Sequence, residues 1–273
     1  MYSKKNTLLV SDERKKYLKQ ITLEKYGILS VQVFILLFFI FIWEVGANLN
    51  WIDSFITSSP SRMYATFLNL SKNGLLKHLG VTFYETIVGF LLGVIFGCII
   101  ATLLWWSKTL SKICEPYLVV LNSLPKIALG PVIIIWVGAG TKAIIFMALA
   151  ISLIVTVLEL LNGFLSTDKE MIKMAKTLGA NKIQIFSKIV FPANVSTLLN
   201  SLKINIGLSL VGVIAGEFLV SKAGLGYLIV YGGQVFQLDL VMTSVIILAV
   251  VAALLYKVVT LLEKFTLKSI RRQ

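Results

Sequence analysis

Thr86–Ser107 reads TIVGFLLGVIFGCIIATLLWWS, 22 consecutive residues without a charged side chain. A helix rises 1.5 Å per residue, so roughly 20 apolar residues cross the about 30 Å of bilayer hydrocarbon. The run does not alternate between apolar and polar residues as a barrel strand would. A helix also satisfies its own backbone hydrogen bonds, which lipid cannot do. Working outward, Tyr26–Trp43, Ala143–Leu158 and Leu240–Tyr256 are likewise uncharged. Pro116–Thr141 carries only Lys126, and Ile189–Gly216 only Lys203. With their weakly polar flanks these make about six spans. Composition agrees: 57% of the 273 residues are apolar and 14% charged, against about a quarter charged in a soluble domain. The expected fold is all-α, a polytopic membrane protein.

The formal charge of +13 is distributed by side. Lys4, Lys5, Arg14, Lys15, Lys16, Lys19 and Lys25 precede the first span, and Lys257, Lys264, Lys268, Arg271 and Arg272 follow the last. Lys108 and Lys112, then Lys169, Lys173, Lys176, Lys182 and Lys188, occupy two connections that an even span count puts on that same side. Arg62, Lys72, Lys77, Lys142 and Lys222 occupy the opposite side. The positive-inside rule then places both termini in the cytoplasm. The basic excess reads as topology and contact with anionic lipid headgroups rather than nucleic-acid binding. The expected division is a cytoplasmic arm over 1–25, a transmembrane domain over 26–265 and a basic cytoplasmic tail over 266–273. Val45-Gly46-Ala47 has the small-residue form of a cleavage site, but the long basic region ahead of it and the spanning length of the apolar run favour an uncleaved anchor. Cys98 and Cys114 form neither a metal spacing nor a disulfide framework, and His78 is expected at the interface. No cofactor or metal is expected.

Within the spans, Gly89, Gly93 and Gly97 place a small residue every four positions, a signal for close helix approach. Pro125 and Pro131, with Gly130, break the third span. Such a break survives in a membrane only where protein or a water-filled cavity satisfies the freed backbone groups. Arg62–Leu76 reads as a short amphipathic helix on the outer surface.

The cytoplasmic stretch 167–192 carries the densest punctuation. Thr167-Asp168-Lys169-Glu170 has the capping-box form. Met171, Met174, Ala175 and Leu178 recur at helical spacing on one face, and Lys169, Lys173 and Lys176 on the other. Gly179 suits a left-handed helix terminus, Asn181 a cap for a second short helix through Phe191, and Pro192 the first turn of the fifth span. Periodicity alone leaves three readings: docking of a soluble partner, a basic helix lying on the inner leaflet, and a well-capped loop of no further role. Its tethered ends argue against a DNA-binding helix-turn-helix.

Gly179 followed after nine residues by Ile189-Val190-Phe191-Pro192 resembles the core of the loop motif of permease subunits of bacterial binding-protein-dependent ABC importers. Ala175–Ala180 (AKTLGA), Pro125–Pro131 (PKIALGP), Ala215–Leu219 (AGEFL) and Gly224–Ile229 (GLGYLI) resemble the nitrate/sulfonate/taurine branch. The resemblance covers about residues 60–265. It implies the type I permease fold in a bacterial plasma membrane, with two permease copies around a pathway and solute delivered by an extracytoplasmic binding protein. It also implies cytoplasmic ATPase subunits docking on a loop that includes Met171, Lys173, Met174, Ala175, Leu178, Gly179, Ile189 and Pro192. Lys173 stands where the motif has Glu, and Glu85 where the branch usually has a basic residue. The chain lacks a phosphate-cradling Gly-x4-Gly-Lys-Ser/Thr loop. Gly138–Lys142 (GAGTK) is too short and lies on the outer side, so ATP hydrolysis is expected on a separate subunit.

Lys126 and Lys203 each lie 11 residues into their spans, near mid-membrane. A lysine there costs about 3 kcal/mol on insertion scales, so it should face the bundle or water. Two readings follow: a structural ion pair, with Glu159 as the expected carboxylate, or a lining of the pathway together with Asn122, Pro125 and Asn205. Incomplete pairing of two lysines by one carboxylate leans towards a small anionic solute, among relatives that import nitrate, sulfonates, taurine and thiamine precursors. A stand-alone secondary transporter or channel is the first rival, and a recruiting scaffold the second.

Overall fold

The computed structural model describes residues 12–270. Lys4 and Lys5 of the expected arm, and Arg271 and Arg272 of the expected tail, lie outside the described residues. Every regular element in the described residues is helical.

Met1–Tyr64 forms one unit. Its helix α1 (Asp12–Asn48) is continuous through residue 25, so the described part of the arm is the helical start of the first span. Large apolar side chains are exposed all around α1, as on a helix whose solvent is lipid. After it, Asp53 caps the single turn α2 (Ser54–Thr57) by accepting from Phe55 N at 2.8 Å. Glu44 of α1 accepts from Ser61 N at 3.0 Å and Ser61 Oγ at 2.8 Å, at the start of α3 (Pro60–Lys72). A carboxylate there satisfies helix donors that would otherwise lack partners. Helix α3 corresponds to the expected amphipathic stretch, shifted by a few residues.

Ala65–Gln273 forms the second unit. Its long helices are α4 (Leu75–Trp106), α7 (Thr141–Ser166), α11 (Val195–Val220) and α13 (Leu238–Ile270). Between α4 and α7 the chain forms α5 (Lys108–Ser123), one 3₁₀ turn (Lys126–Leu129) and α6 (Gly130–Val137). The two halves of this third span bend by 87°. The break falls at Leu124 and Pro125, and Pro131 sits in the first turn of α6, where its missing N–H removes no helical bond. With the bent pair as one span the count is six, including α1. An even count keeps both ends on one side of the membrane.

Helices α4, α7 and α11 pack closest, and the reason is side-chain size. Gly89, Gly93 and Gly97 of α4 lie against Ala148, Ser152 and Thr156 of α7, two stripes of the same four-residue period. Gly212 of α11 also lies against Ala148, and Gly216 lies on Ile144. The hydroxyls of Ser152 and Thr156 donate to carbonyls one turn back, at 3.0 and 2.9 Å, so they bring no unsatisfied donor into the seam.

Candidate functional site

The loop over 167–192 is built by caps. Helix α8 (Lys169–Thr177) starts at Asp168, whose side chain accepts from Glu170 N at 2.7 Å. Thr167, expected to be the cap, is instead buried, and its Oγ accepts from Asn194 Nδ2 at 2.8 Å. This bond joins the two ends of the loop, a long-range need that a four-residue pattern does not show. At the other end of α8, Gly179 has φ +83°. Gly179 N donates to Lys176 O at 2.9 Å and Ala180 N to Ala175 O at 3.0 Å, the paired bonds of a Schellman terminus. Asn181 then caps α9 (Lys182–Ile185) in a reciprocal capping box with Gln184. The second short helix does not run evenly to Phe191. It widens into a π-turn over Phe186–Val190, and α10 (Phe191–Ala193), which contains Pro192, ends before α11 starts at Val195.

The faces of α8 separate differently from the sequence expectation. Ala175 points inward, against a core that includes Leu160, Leu161 and Phe164 of α7, and Ile172 packs with it. Met171, Met174 and Leu178 point outward, with Leu178 79% exposed, and Ile183 of α9 joins them at 65%. The outward apolar face is therefore Met171, Met174, Leu178 and Ile183, with Lys173 exposed beside it. Ile189 is half-buried under the loop. Ile183 was missed because the turn at Gly179 resets the helical phase, and Ile172 because it packs inward beside Ala175, off the face of Met171, Met174 and Leu178. Beneath the loop, Phe186 packs against Trp105, Trp106, Phe164 and Phe191. Lys182 Nζ donates to Trp106 O at 2.7 Å, at the carbonyl-rich end of α4.

Of the expected pathway residues, Asn122, Pro125 and Lys126 come together at the bend of the third span. Asn122 and Pro125 are exposed and Lys126 is half-buried. Lys126 Nζ donates to Asn122 O at 3.0 Å and approaches Asn122 Oδ1 at 3.4 Å, and it has no carboxylate partner among the described residues. Lys203 lies elsewhere. It pairs at 2.7 Å with Glu263 of α13, not with Glu159. Helix α13 continues past Tyr256 to Ile270, which brings Glu263 alongside α11; the expected sixth span stopped one helical turn or more short of it. Glu159 has one buried oxygen without a donor. Asn205 is fully enclosed in the bundle and bonds Ser201 Oγ at 2.9 Å. Lys203→Met should therefore weaken the bundle by about 1–3 kcal/mol, since it strands the Glu263 carboxylate in partly buried surroundings. Lys203→Met combined with Glu263→Gln should recover most of that loss, as read from thermal unfolding in detergent. A double variant no more stable than Lys203→Met alone would show that the pair carries no such weight.

At the opposite end of the bundle from this loop, the end of α11 is tied to α4 and to α12 (Leu225–Gln234) through Glu217. This buried carboxylate accepts from Thr82 Oγ at 2.6 Å and from Gly226 N. Gly224 and Gly226 lie so close to it that a Cβ on either would meet the carboxylate. Thr82 Oγ also accepts from Leu225 N at 2.8 Å, and His78 Nδ1 from Gly224 N at 3.0 Å. The sequence showed the AGEFL and GLGYLI segments but not that the glycines make room for the glutamate.

The family of binding-protein-dependent transport system inner membrane components matches residues 93–272. The chain belongs to this family. The permease is 30% identical over 228 residues to a putative aliphatic sulfonates transport permease of Bacillus subtilis, covering 83% of each chain. It is 29% identical to a probable ABC transporter permease of Haemophilus influenzae, covering 79% of this chain and 87% of the other. It is 26% identical to a formylaminopyrimidine transport permease of Halalkalibacterium halodurans, covering 74% and 80%. In fold it matches inward-facing structures of the MetNI methionine ABC transporter, with a TM-score of 0.62 at 19% identity over 69% of this chain and 94% of that one. The permease is thus a multi-pass membrane protein and a transport component of an ABC importer.

Proposed function

We propose that two copies of this permease form the translocation pathway of an importer for a small anion of the sulfonate type. In this reading an extracytoplasmic binding protein delivers the solute, and cytoplasmic ATPase subunits hydrolyse ATP and dock on α8. Residues 1–25 and 266–273 form its cytoplasmic ends. The observation that carries the docking role is the outward face of Met171, Met174, Leu178 and Ile183. Apolar side chains on a rigidly capped helix outside the membrane need a partner surface. The basic inner-leaflet alternative is weaker, because Ala175 and Ile172 seat α8 on the core formed with α7, so protein contacts rather than lipid fix the helix. Exposed apolar residues of α5 and α6, such as Tyr117, Ile135 and Trp136, support pairing with a second copy or contact with lipid.

Charge favours an anion. Lys203 is neutralised by Glu263, whereas Lys126 has no carboxylate and sits at the break, where backbone groups are freed from the helical ladder. The pathway therefore follows Asn122, Pro125 and Lys126 rather than Lys203 and the enclosed Asn205. Lys126→Met, with the permease assembled with its ATPase and binding protein in proteoliposomes, should lower sulfonate uptake on the order of tenfold, with the complex intact. That corresponds to losing about one charge-assisted interaction. Undiminished uptake by the Met variant would remove the anion assignment. Import of a pyrimidine instead of a sulfonate by the wild type would replace it.

A further inference from the structure

Helix α12 starts without a cap of its own. Gly224, Leu225 and Gly226 open it, and none of them offers a side-chain acceptor to the unpaired N–H groups of a first turn. Side chains from two other helices take that place. His78 Nδ1 of α4 accepts from Gly224 N at 3.0 Å, and Thr82 Oγ, one turn further along α4, accepts from Leu225 N at 2.8 Å. The Glu217 carboxylate of α11 accepts from Gly226 N. His78 and Thr82 are four residues apart and so share a face of α4. The His78 ring also stacks on Tyr227 of α12, with centroids 6.0 Å apart and planes 4° from parallel, and Tyr227 stacks in turn on Tyr231. A backbone N–H can only donate, so Nδ1 presents a lone pair and the neutral ring carries its hydrogen on Nε2. Histidine is the side chain whose ordinary titration falls between about pH 5 and 8.

We propose that His78 is an acid-sensitive latch on the start of α12: the neutral ring holds Gly224 against α4, and the protonated ring releases it. A proton on Nδ1 removes the acceptor and sets a cation against the N-terminal end of a helix, where the macrodipole disfavours it. The latch is therefore closed above the histidine range and opens as pH falls through it. Leu225 and Leu228 stay packed with Leu75 of α4, so what loosens is the first turn of α12 and its connection to α11, not the bundle. The titratable and charged side chains on the surrounding elements are Lys72 at the end of α3, Lys77 and Glu85 on α4, Lys142 at the start of α7 and Glu217 on α11. Beyond these come Lys222 in the connection, Tyr227 and Tyr231 on α12, and Asp239 at the start of α13. Glu217 borders Gly224 and is the counter-charge nearest the latch, but it already accepts from Thr82 Oγ and Gly226 N. With the loop over 167–192 in the cytoplasm, as proposed above, this end faces outward and the latch senses external pH. The latch and its test stand without that orientation.

The test is amide hydrogen exchange over residues 222–231 in the full-length chain in lipid nanodiscs, read by mass spectrometry and corrected for the intrinsic pH dependence of exchange. Protection of this segment in the wild type should fall about fivefold, the effect of one hydrogen bond, between about pH 8 and about pH 5. His78→Asn, whose Oδ1 accepts at the position of Nδ1 without titrating, should stay protected throughout. His78→Phe keeps a ring against Tyr227 but offers no acceptor, and should show the acid wild-type level at both pH values. If His78→Asn fails to fold, the wild type against His78→Phe decides: the two should match in acid and differ at high pH. If His78→Phe fails to fold, the wild type against His78→Asn decides. Parallel profiles for wild type and His78→Phe, or a loss of protection in acid that His78→Asn shares, overturn the proposal. So does protection that rises on acidification, which would put the protonated ring in an ion pair with Glu217.

Discussion

Gly179→Val is expected to uncouple the transporter without unfolding it. The residue has φ +83°, which a β-branched side chain resists. A Cβ at this position would meet nothing within 4 Å, so the penalty is purely conformational, about 1–2 kcal/mol. The chain relieves it by leaving the left-handed region, which breaks the bonds Gly179 N to Lys176 O and Ala180 N to Ala175 O. These bonds set the angle between α8 and α9, and hence the relation of Met171, Met174 and Leu178 to Ile183. Under the docking reading, transport and substrate-stimulated ATP hydrolysis in the reconstituted complex should fall on the order of tenfold or more, since each 1.4 kcal/mol of lost docking is a factor of ten. The spans, which make none of these contacts, should keep their thermal stability. Gly179→Asn is the control, because asparagine tolerates a left-handed helix terminus. If the valine variant couples ATP hydrolysis to uptake as the wild type does, the geometry of this face does not carry the coupling.

Features that depend on one element's own chemistry were legible in the sequence. Span positions follow from run length, the break from Pro125, the Gly179 terminus from glycine's freedom at positive φ, and the Asn181 cap from its neighbours. Features that depend on two elements meeting were not. Thr167 and Asp168 both suit a cap, and only the position of Asn194, 27 residues on, decides that Thr167 is used elsewhere. Ala175 fits the periodic apolar set, but a small side chain is what lets α8 approach α7. Lys203 announced that it needs a partner but not which one, because the extent of α13 beyond its most apolar stretch is not set by hydropathy. Thr82 and Glu217 are 135 positions apart, and their hydrogen bond is a property of the packing of α4 on α11 alone.

That seam should fail when Gly212 is replaced by valine. A Cβ on Gly212 would stand 2.6 Å from Ala148 Cα and 3.0 Å from Ala148 N, and this neighbour is backbone, which cannot rotate aside. Ala148 also touches Gly89 of α4, so a shift of α7 that admits the new atom disturbs that contact as well. Helices α11 and α7 must separate along their length, opening contacts at Gly216 and Ile144 as well. Overpacking of this kind costs about 1–3 kcal/mol where side chains yield and more where they do not. In lipid, close small-residue packing is itself a principal source of helix association. Gly212→Val is therefore expected to abolish recovery of monodisperse, detergent-extracted protein. Gly93→Ala should be milder, because the atom it meets first is the Ser152 hydroxyl, which can change rotamer. Gly207→Ala, on the same helix but with nothing within 4 Å, should be neutral or slightly stabilising. Comparable yields and melting temperatures for Gly212→Val and Gly207→Ala would mean that α7 and α11 do not meet at Ala148 as described.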